Sequence, residues 1–487
     1  MENQEQFSTR WTLLLSTLGM AIGAGNIWRF PRLAGKYGGA FLITWLIFLI
    51  LWSIPLLMVE FSLGKSTRRG PIGAFSSFLG KKFTWMGAFV TICTMAIMFY
   101  YSVVCGWALK YFFSAISGNL VGISHDKFWY DFTHSTTQPV IFHLIALILA
   151  SFIIYKGVQK GIEKANKILL PSLLLLLILG VIRALTLPNA AQGLNYLFGV
   201  KFELFASYEM WLEALSQSAW STGAGWGLVL TYSVYMREKE DVTLNAFITG
   251  FGNNSASLLA GLAIIPTIFS LTPSFEDATS ALNAGNQGLT FIVIPQLFGQ
   301  LPGSSIFTTI FFIALFFAAI SSLISMLELS TRTFIDFGIP RRKALPMVSI
   351  LTIIFGLPSA VSIDFFNNQD WVWGLGLILS GAFFTFAVIK NNVRNFRQIY
   401  LNIPQNDLYV GKWFDWLMKY LIPIEAIIML SWWFYQSVMW DPQSWWKPIS
   451  IYSLGTCLLQ WGILIIFLII FNAFIFNRLT LLKKTNA

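Results

Sequence analysis

The stretch Gly19-Met20-Ala21-Ile22-Gly23-Ala24-Gly25-Asn26-Ile27-Trp28-Arg29-Phe30-Pro31 interrupts the first hydrophobic segment of the chain with glycines, an amide, a guanidinium and a proline. Glycine weakens a helix by about 1 kcal/mol relative to alanine. Bare backbone in hydrocarbon is costlier still, so non-helical chain at membrane depth survives only packed in protein or lining a polar cavity. A glycine-rich helix-packing face is the plainer account of these residues. The sharper one is a broken helix whose freed carbonyls and amides bind an ion and a small solute.

The sixth segment repeats the anomaly. Ser216-Gln217-Ser218-Ala219-Trp220-Ser221-Thr222-Gly223-Ala224-Gly225-Trp226-Gly227 sets small polar residues and glycines into a span that should be apolar. Interruptions in the first and sixth segments are what two five-helix repeats of opposite topology would give, with a binding site at their interface. Asn253, Asn254, Ser255 and Ser257 enter the seventh segment, and Ser321, Ser322 and Ser325 the eighth. Isolated hydroxyls of this kind often bond back to their own helix. Neutral oxygens converging from several helices also suit a hard monovalent cation. Tyr100 and Tyr101 fall mid-segment, where a phenol needs a partner for its hydroxyl. Glu60, near the cytoplasmic end of the second segment, suits pairing with a base as well as a functional role.

The elements that must position these residues are membrane helices. The 487 residues are 56% hydrophobic and 11% charged, with a mean hydropathy of +0.67. A soluble domain carries about a quarter charged residues. Apolar runs of about 20 residues recur, and the reading places twelve, near residues 12–36, 40–63, 86–113, 138–155, 166–186, 211–235, 243–270, 304–330, 345–361, 371–390, 416–438 and 450–477. The net charge of +10 orients the chain and does not imply nucleic acid. Lys65, Arg68, Arg69, Lys81 and Lys82 follow the second segment. Lys156, Lys160, Lys164 and Lys167 lie between the fourth and fifth, Arg341, Arg342 and Lys343 after the eighth, and Arg478, Lys483 and Lys484 at the end. Alternate loops are poor in base, so the positive-inside bias puts both termini in the cytoplasm of a multi-pass inner-membrane protein. The expected organisation is a cytoplasmic tail over 1–9, a first repeat over 10–200 and a second over 201–395. Two further helices follow over 396–477, then a tail over 478–487. Residues 271–303, with Pro273, Gly285 and Pro302, are too long for a plain connector and suit an extracellular lid. Cys93, Cys105 and Cys457 all lie in apolar segments and suggest neither disulfides nor a metal site.

These residues resemble the neurotransmitter:sodium symporter family, including its bacterial leucine-transporter-like amino-acid transporters. The run Gly25-Asn26-Ile27-Trp28-Arg29-Phe30-Pro31 followed by Gly38-Gly39-Ala40-Phe41 carries the resemblance, which extends from Arg10 to about residue 475. It implies an all-α bundle of twelve helices with helices 1 and 6 broken, alternating access, and solute uptake coupled to two sodium ions. One sodium site would use the carbonyls of Gly19, Ile22 and Ala318 and the hydroxyls of Ser321 and Ser322. The other would use the Ala21 carbonyl, Asn26, Ser221, Asn253 and the substrate's carboxylate. That carboxylate would meet the amides of Ala24 and Gly25 and the hydroxyl of Tyr101, at the positive end of a helix dipole. Arg29 and Asp370 match the outer gate, above a lid of Tyr101 and Trp220.

The departures from the family pattern are informative. Met20 stands where many relatives have asparagine. Gln4 and Phe7 replace the usual arginine and tryptophan of the inner gate. Asp336 matches its acidic partner, so Arg10 is the candidate to substitute. Gly23 stands where monoamine carriers have an aspartate, which implies a substrate that brings its own carboxylate. Ile97, Tyr101, Val104, Trp220, Gly223, Trp226, Ser322 and Met326 would line the substrate pocket. Two indoles and a methionine there predict a small substrate: glycine, alanine or an N-methylated glycine. Should the indoles turn away, the pocket would instead take larger hydrophobic or aromatic amino acids. Ser257 replaces a glutamate common in bacterial relatives. With Gln217, Ser221, Asn253 and Trp45 it outlines a chloride site. Trp45 replaces a tyrosine there.

A sodium-permeable channel on the same helices is the alternative from another class. An enzyme is disfavoured by the lack of a metal-ligand cluster or nucleophile–base pair; the only histidines are His125, His134 and His143. The expected partners are the solute and the lipid bilayer, with the chain monomeric or weakly dimeric.

Overall fold

Backbone in hydrocarbon must satisfy its own polar groups, and over the apolar runs this chain does so with helices. The computed structural model describes residues 5–485. Gln4, the extreme ends of both tails and the side chains of Lys483 and Lys484 lie outside the described residues. Among the described residues, ten helices are long and apolar enough to cross a membrane unbroken. Two further spans are each split in two. α1 (Arg10–Ala21) and α2 (Ala24–Tyr37) form the first. α3 (Gly39–Thr67), α4 (Thr84–Ile116), α5 (Gln138–Tyr155) and α6 (Lys164–Leu185) follow. α7 (Tyr208–Ser221) and α8 (Leu228–Ser233) form the second split span. Then come α9 (Val242–Leu271), α10 (Phe275–Leu282), α11 (Ser304–Asp336), α12 (Arg341–Val361) and α13 (Ile363–Lys390). α14 (Trp413–Trp440) and α15 (Leu454–Thr485) end the chain. The segments read from hydropathy are all present, with breaks in the first and sixth.

Burial separates scaffold from periphery. The most apolar windows of α4, α11 and α13 are each 78% buried, whereas that of α15 is 11% buried. α4 and α11 pack along each other, and α6 and α9 do the same beside them. The split helices run through the middle: α1 touches α6, α9 and α11, α2 touches α9, and α7 and α8 lie against α3. α5, α12, α14 and α15 instead present Ile148, Phe152, Ile350, Ile427, Ile463 and Ile470 outward. Side chains of that kind belong against lipid tails. α10 belongs to the segment read as a lid; Leu282 sits where a Cβ on Gly35 of α2 would fall, 2.6 Å from its Cδ2.

Candidate functional site

The first break is written in its caps. α1 starts at Thr9, which exchanges hydrogen bonds with Thr12 in a capping box. It stops at Ile22, whose backbone is extended. α2 restarts at once, because Asn26 Oδ1 accepts from the Gly23 N–H at 2.9 Å. The Ala24 N–H donates to Tyr101 Oη at 3.1 Å, which joins two groups read as carboxylate partners. A Cβ on Gly23 would lie 2.8 Å from Ser322 Oγ and 3.0 Å from Tyr101 Oη, so only glycine fits. At Gly25 a Cβ would meet nothing within 4 Å.

The second break depends on backbone that only glycine adopts cheaply: Gly223, Gly225 and Gly227 all have positive φ, at 70°, 89° and 77°. Unwinding frees amides, and Glu60 takes them. Its carboxylate is fully buried and accepts from Gly225 N–H at 2.6 Å and Leu230 N–H at 3.1 Å. No base pairs with it among the described residues, so its sequence position near Lys65 was a poor guide. Thr94 Oγ1 donates to the Trp226 carbonyl at 2.7 Å and pins the same stretch to α4.

Oxygen atoms gather at two places along these breaks. At the first, Asn26 Nδ2 donates to Asn253 Oδ1 and to Ser257 Oγ, both at 2.7 Å. Asn253 Nδ2 donates to Ser221 Oγ at 3.0 Å. The end of the Asn253 amide facing Asn26 also lies 2.9 Å from the Ser221 carbonyl and 3.2 Å from the Ala21 carbonyl. Held as oxygen, it makes three oxygens that a cation between them would reconcile; held as nitrogen, it donates to both carbonyls. At the second place Ser322 Oγ donates to the Met20 carbonyl and Ser321 Oγ to that of Ala318, each at 3.0 Å. This brings α11 against the end of α1, beside Gly19 and Ile22. Neutral oxygens of this kind suit a weakly held alkali cation and offer no nucleophile or acid–base pair.

Between the breaks lies a cavity of about 100 Å³. Ala21, Gly23, Gly25, Tyr101, Val104, Trp220, Ser221, Gly223, Trp226, Ser322 and Met326 line it, whereas Ala24 and Ile97 are buried behind its wall. Sequence reading missed Leu228, Phe366 and Asn286 in the lining. Asn286 comes from the lid, where its Oδ1 accepts from Arg32 Nε at 2.7 Å. The indoles of Trp220 and Trp226 meet edge to face at 5.5 Å. Met20 closes one side, its sulfur 3.2 Å from where a Cβ on Gly223 would be. Both indoles border the cavity.

The gates differ from the expected pairs. Arg29 lies over Trp220 at 5.7 Å from its centroid. Its ion pair, at 3.7 Å, is with Glu213 on α7, and Ser216 Oγ accepts from it at 2.9 Å. Asp370 lines the same cavity without pairing with Arg29. Glu213 lies three residues before the interrupted stretch of its own segment and was not singled out there. Arg10 and Asp336 do not meet either. Asp336 pairs with Arg332 at 2.9 Å and accepts from Gly70 N–H at 2.6 Å, and Arg10 has no carboxylate partner among the described residues. Near them Arg341 binds Glu328 at 2.6 Å and Glu5 at 2.7 Å. Phe7 is buried edge-on against Tyr232 and Tyr235.

A membrane bundle with two unwound helices, neutral oxygens at both breaks and a small cavity between opposing gates defines a class, the ion-coupled solute carriers. The model of the Sodium:neurotransmitter symporter family matches residues 4–141 and 131–478, and the chain belongs to that family. An uncharacterized sodium-dependent transporter of Methanocaldococcus jannaschii is 35% identical over 373 residues, covering 72% of this chain and 74% of that protein. The uncharacterized sodium-dependent transporter YhdH of Bacillus subtilis is 31% identical over 451 residues, covering 87% and 96%. A crystal structure of MhsT in complex with L-phenylalanine superposes with a TM-score of 0.78 at 28% identity, covering 88% of this chain and 99% of MhsT. The protein is thus a membrane-spanning, sodium-dependent symporter of a small molecule, built on the fold that its sequence implied.

Proposed function

We propose that this protein carries a small zwitterionic amino acid inward with sodium by alternating access, from an inner membrane whose cytoplasmic side holds both termini. The cavity carries this reading. With both indoles on its border and Met20 against Gly223, it measures about 100 Å³. Drug-sized ligands occupy pockets of roughly 300–1,000 Å³. That space suits glycine, alanine or an N-methylated glycine. The amides at the start of α2 and the Tyr101 hydroxyl stand ready for a carboxylate, and Gly23 supplies no carboxylate of its own at that end of the cavity for a bare amine. Two sodium ions fit the two oxygen clusters.

A chloride ion fits beside the first cluster. Among the described residues Gln217 and Trp45 are buried with Nε2 and Nε1 free of acceptors, and amide and indole N–H groups are donors an anion takes. Ser257 accepts from Asn26 at the first cluster, and its hydroxyl proton is a further donor.

The second reading, a larger hydrophobic or aromatic substrate, is favoured by the L-phenylalanine in the complex of the similar MhsT. It requires Trp220 or Trp226 to swing aside. Uptake by purified protein in sealed proteoliposomes, under a sodium gradient and with a panel of amino acids, decides among these. Accumulation of glycine, alanine or sarcosine above equilibrium supports the proposal. Accumulation of phenylalanine or leucine with no response to the small solutes supports the second reading. Sodium flux without saturable solute uptake would leave only a channel.

A further inference from the structure

Asn166 lies on α6, just beyond a wide helical turn over Val158–Glu163, and is fully buried. Its side-chain nitrogen donates to the Ile162 carbonyl at 3.1 Å. That bond fixes the amide plane and leaves Oδ1 as the free end, and this oxygen has no hydrogen-bond donor among the described residues. It is aimed at α1. A Cβ built on Gly19 would run into Asn166 Oδ1, 3.2 Å from Asn166 Cγ and 3.6 Å from Ser321 Cβ. One unpartnered amide oxygen therefore stands in the seam where α1, α6 and α11 meet. A buried carbonyl-type oxygen with no donor burdens a fold, and a bound water or ion is one arrangement that relieves it. Leucine or alanine at this position would pack without that burden.

We propose that Asn166 Oδ1 is a further oxygen ligand of the sodium site formed by Gly19, Ile22, Ala318, Ser321 and Ser322, reaching the ion from α6. This rests on the placement of that site under Proposed function. It makes the ion a tie among three helices instead of two, so that α6 senses whether the site is filled.

The test is a sodium titration of the thermal unfolding midpoint of the purified full-length protein, with choline holding ionic strength constant. Asn166→Ala and Asn166→Ser are expected to need several-fold more sodium for half of the stabilisation, with midpoints in choline close to wild type. Asn166→Asp puts a full negative charge at the same oxygen and is expected to need less sodium than wild type. If both groups hold one ion, the double variant Asn166→Ala/Ser321→Ala shifts the titration by less than the two single shifts combined. Titrations unchanged in Asn166→Ala and Asn166→Ser, beside a wild type and a Ser321→Ala that differ, would overturn this inference alone. Equal losses in sodium and choline for all three Asn166 variants would make the residue a packing element and overturn it as well. A wild type indifferent to sodium would remove the site and the inference together.

Discussion

Replacing Glu60 with glutamine tests whether one carboxylate holds the second break open. Its two oxygens accept from Gly225 N–H at 2.6 Å and Leu230 N–H at 3.1 Å, away from solvent. Hydrogen bonds to a charged group contribute about 1.5–3 kcal/mol each, and neutral ones about 1 kcal/mol. In Glu60→Gln one oxygen becomes an NH2 group that faces a backbone N–H, so that bond is lost and its donor is stranded. The other bond survives at neutral strength. The combined cost is roughly 2–5 kcal/mol. The same stretch carries Trp226 and Gly223, so solute affinity is expected to fall along with stability. Thermal unfolding of the purified protein measures the first effect, and the half-saturating solute concentration for uptake measures the second. A glutamine variant with the wild-type unfolding midpoint and unchanged uptake would refute the reasoning, since it would mean that the freed amides need no charged acceptor.

Three further expectations follow from separate parts of the molecule. Gly23→Asp is expected to abolish uptake without recruiting decarboxylated amines, because even its Cβ would lie 2.8 Å from Ser322 Oγ; amine uptake by this variant would contradict the crowding argument. Arg341→Gln strips a buried Glu328 of its cation and is expected to cost about 3–5 kcal/mol, whereas Glu5→Gln removes a 44% exposed partner and is expected to cost no more than about 1 kcal/mol. Equal unfolding shifts for the two would show that Glu328 has another cation. Uptake in chloride and in gluconate is expected to differ for the wild type and to be equal for Ser257→Glu; equal wild-type rates in both media would remove chloride from the scheme.

The two breaks were legible in the sequence because glycines and amides inside an apolar run have few other uses at membrane depth. The segment count was legible for the same reason, since hydrocarbon forces helical spans of nearly fixed length. Partner choice was not. Glu60 sits near Lys65 in sequence, yet a side chain in a bundle answers to whichever helix crosses it, and here that is the unwound stretch between α7 and α8. Arg29 turned to Glu213, and Asp336 to Arg332 and not Arg10, for a like reason: ion pairs are set by rotation and tilt, which periodicity does not encode. Asn166 was not singled out in the sequence. Its significance lies in a vacant hydrogen-bonding oxygen, which appears only in three dimensions.

Trp220 serves two neighbours at once: its ring roofs the cavity and supports Arg29 at 5.7 Å. Under the proposed function, recognition and gating would meet in this one side chain. A solute short enough to leave the ring in place would let the guanidinium stay over it. A longer relative that seats its carboxylate at α2 would push the ring aside and hold the guanidinium off. Bulky analogues of the cargo are therefore expected to act as wedges, competing for the site without being carried, and counterflow assays that detect binding competition but no exchange would reveal them.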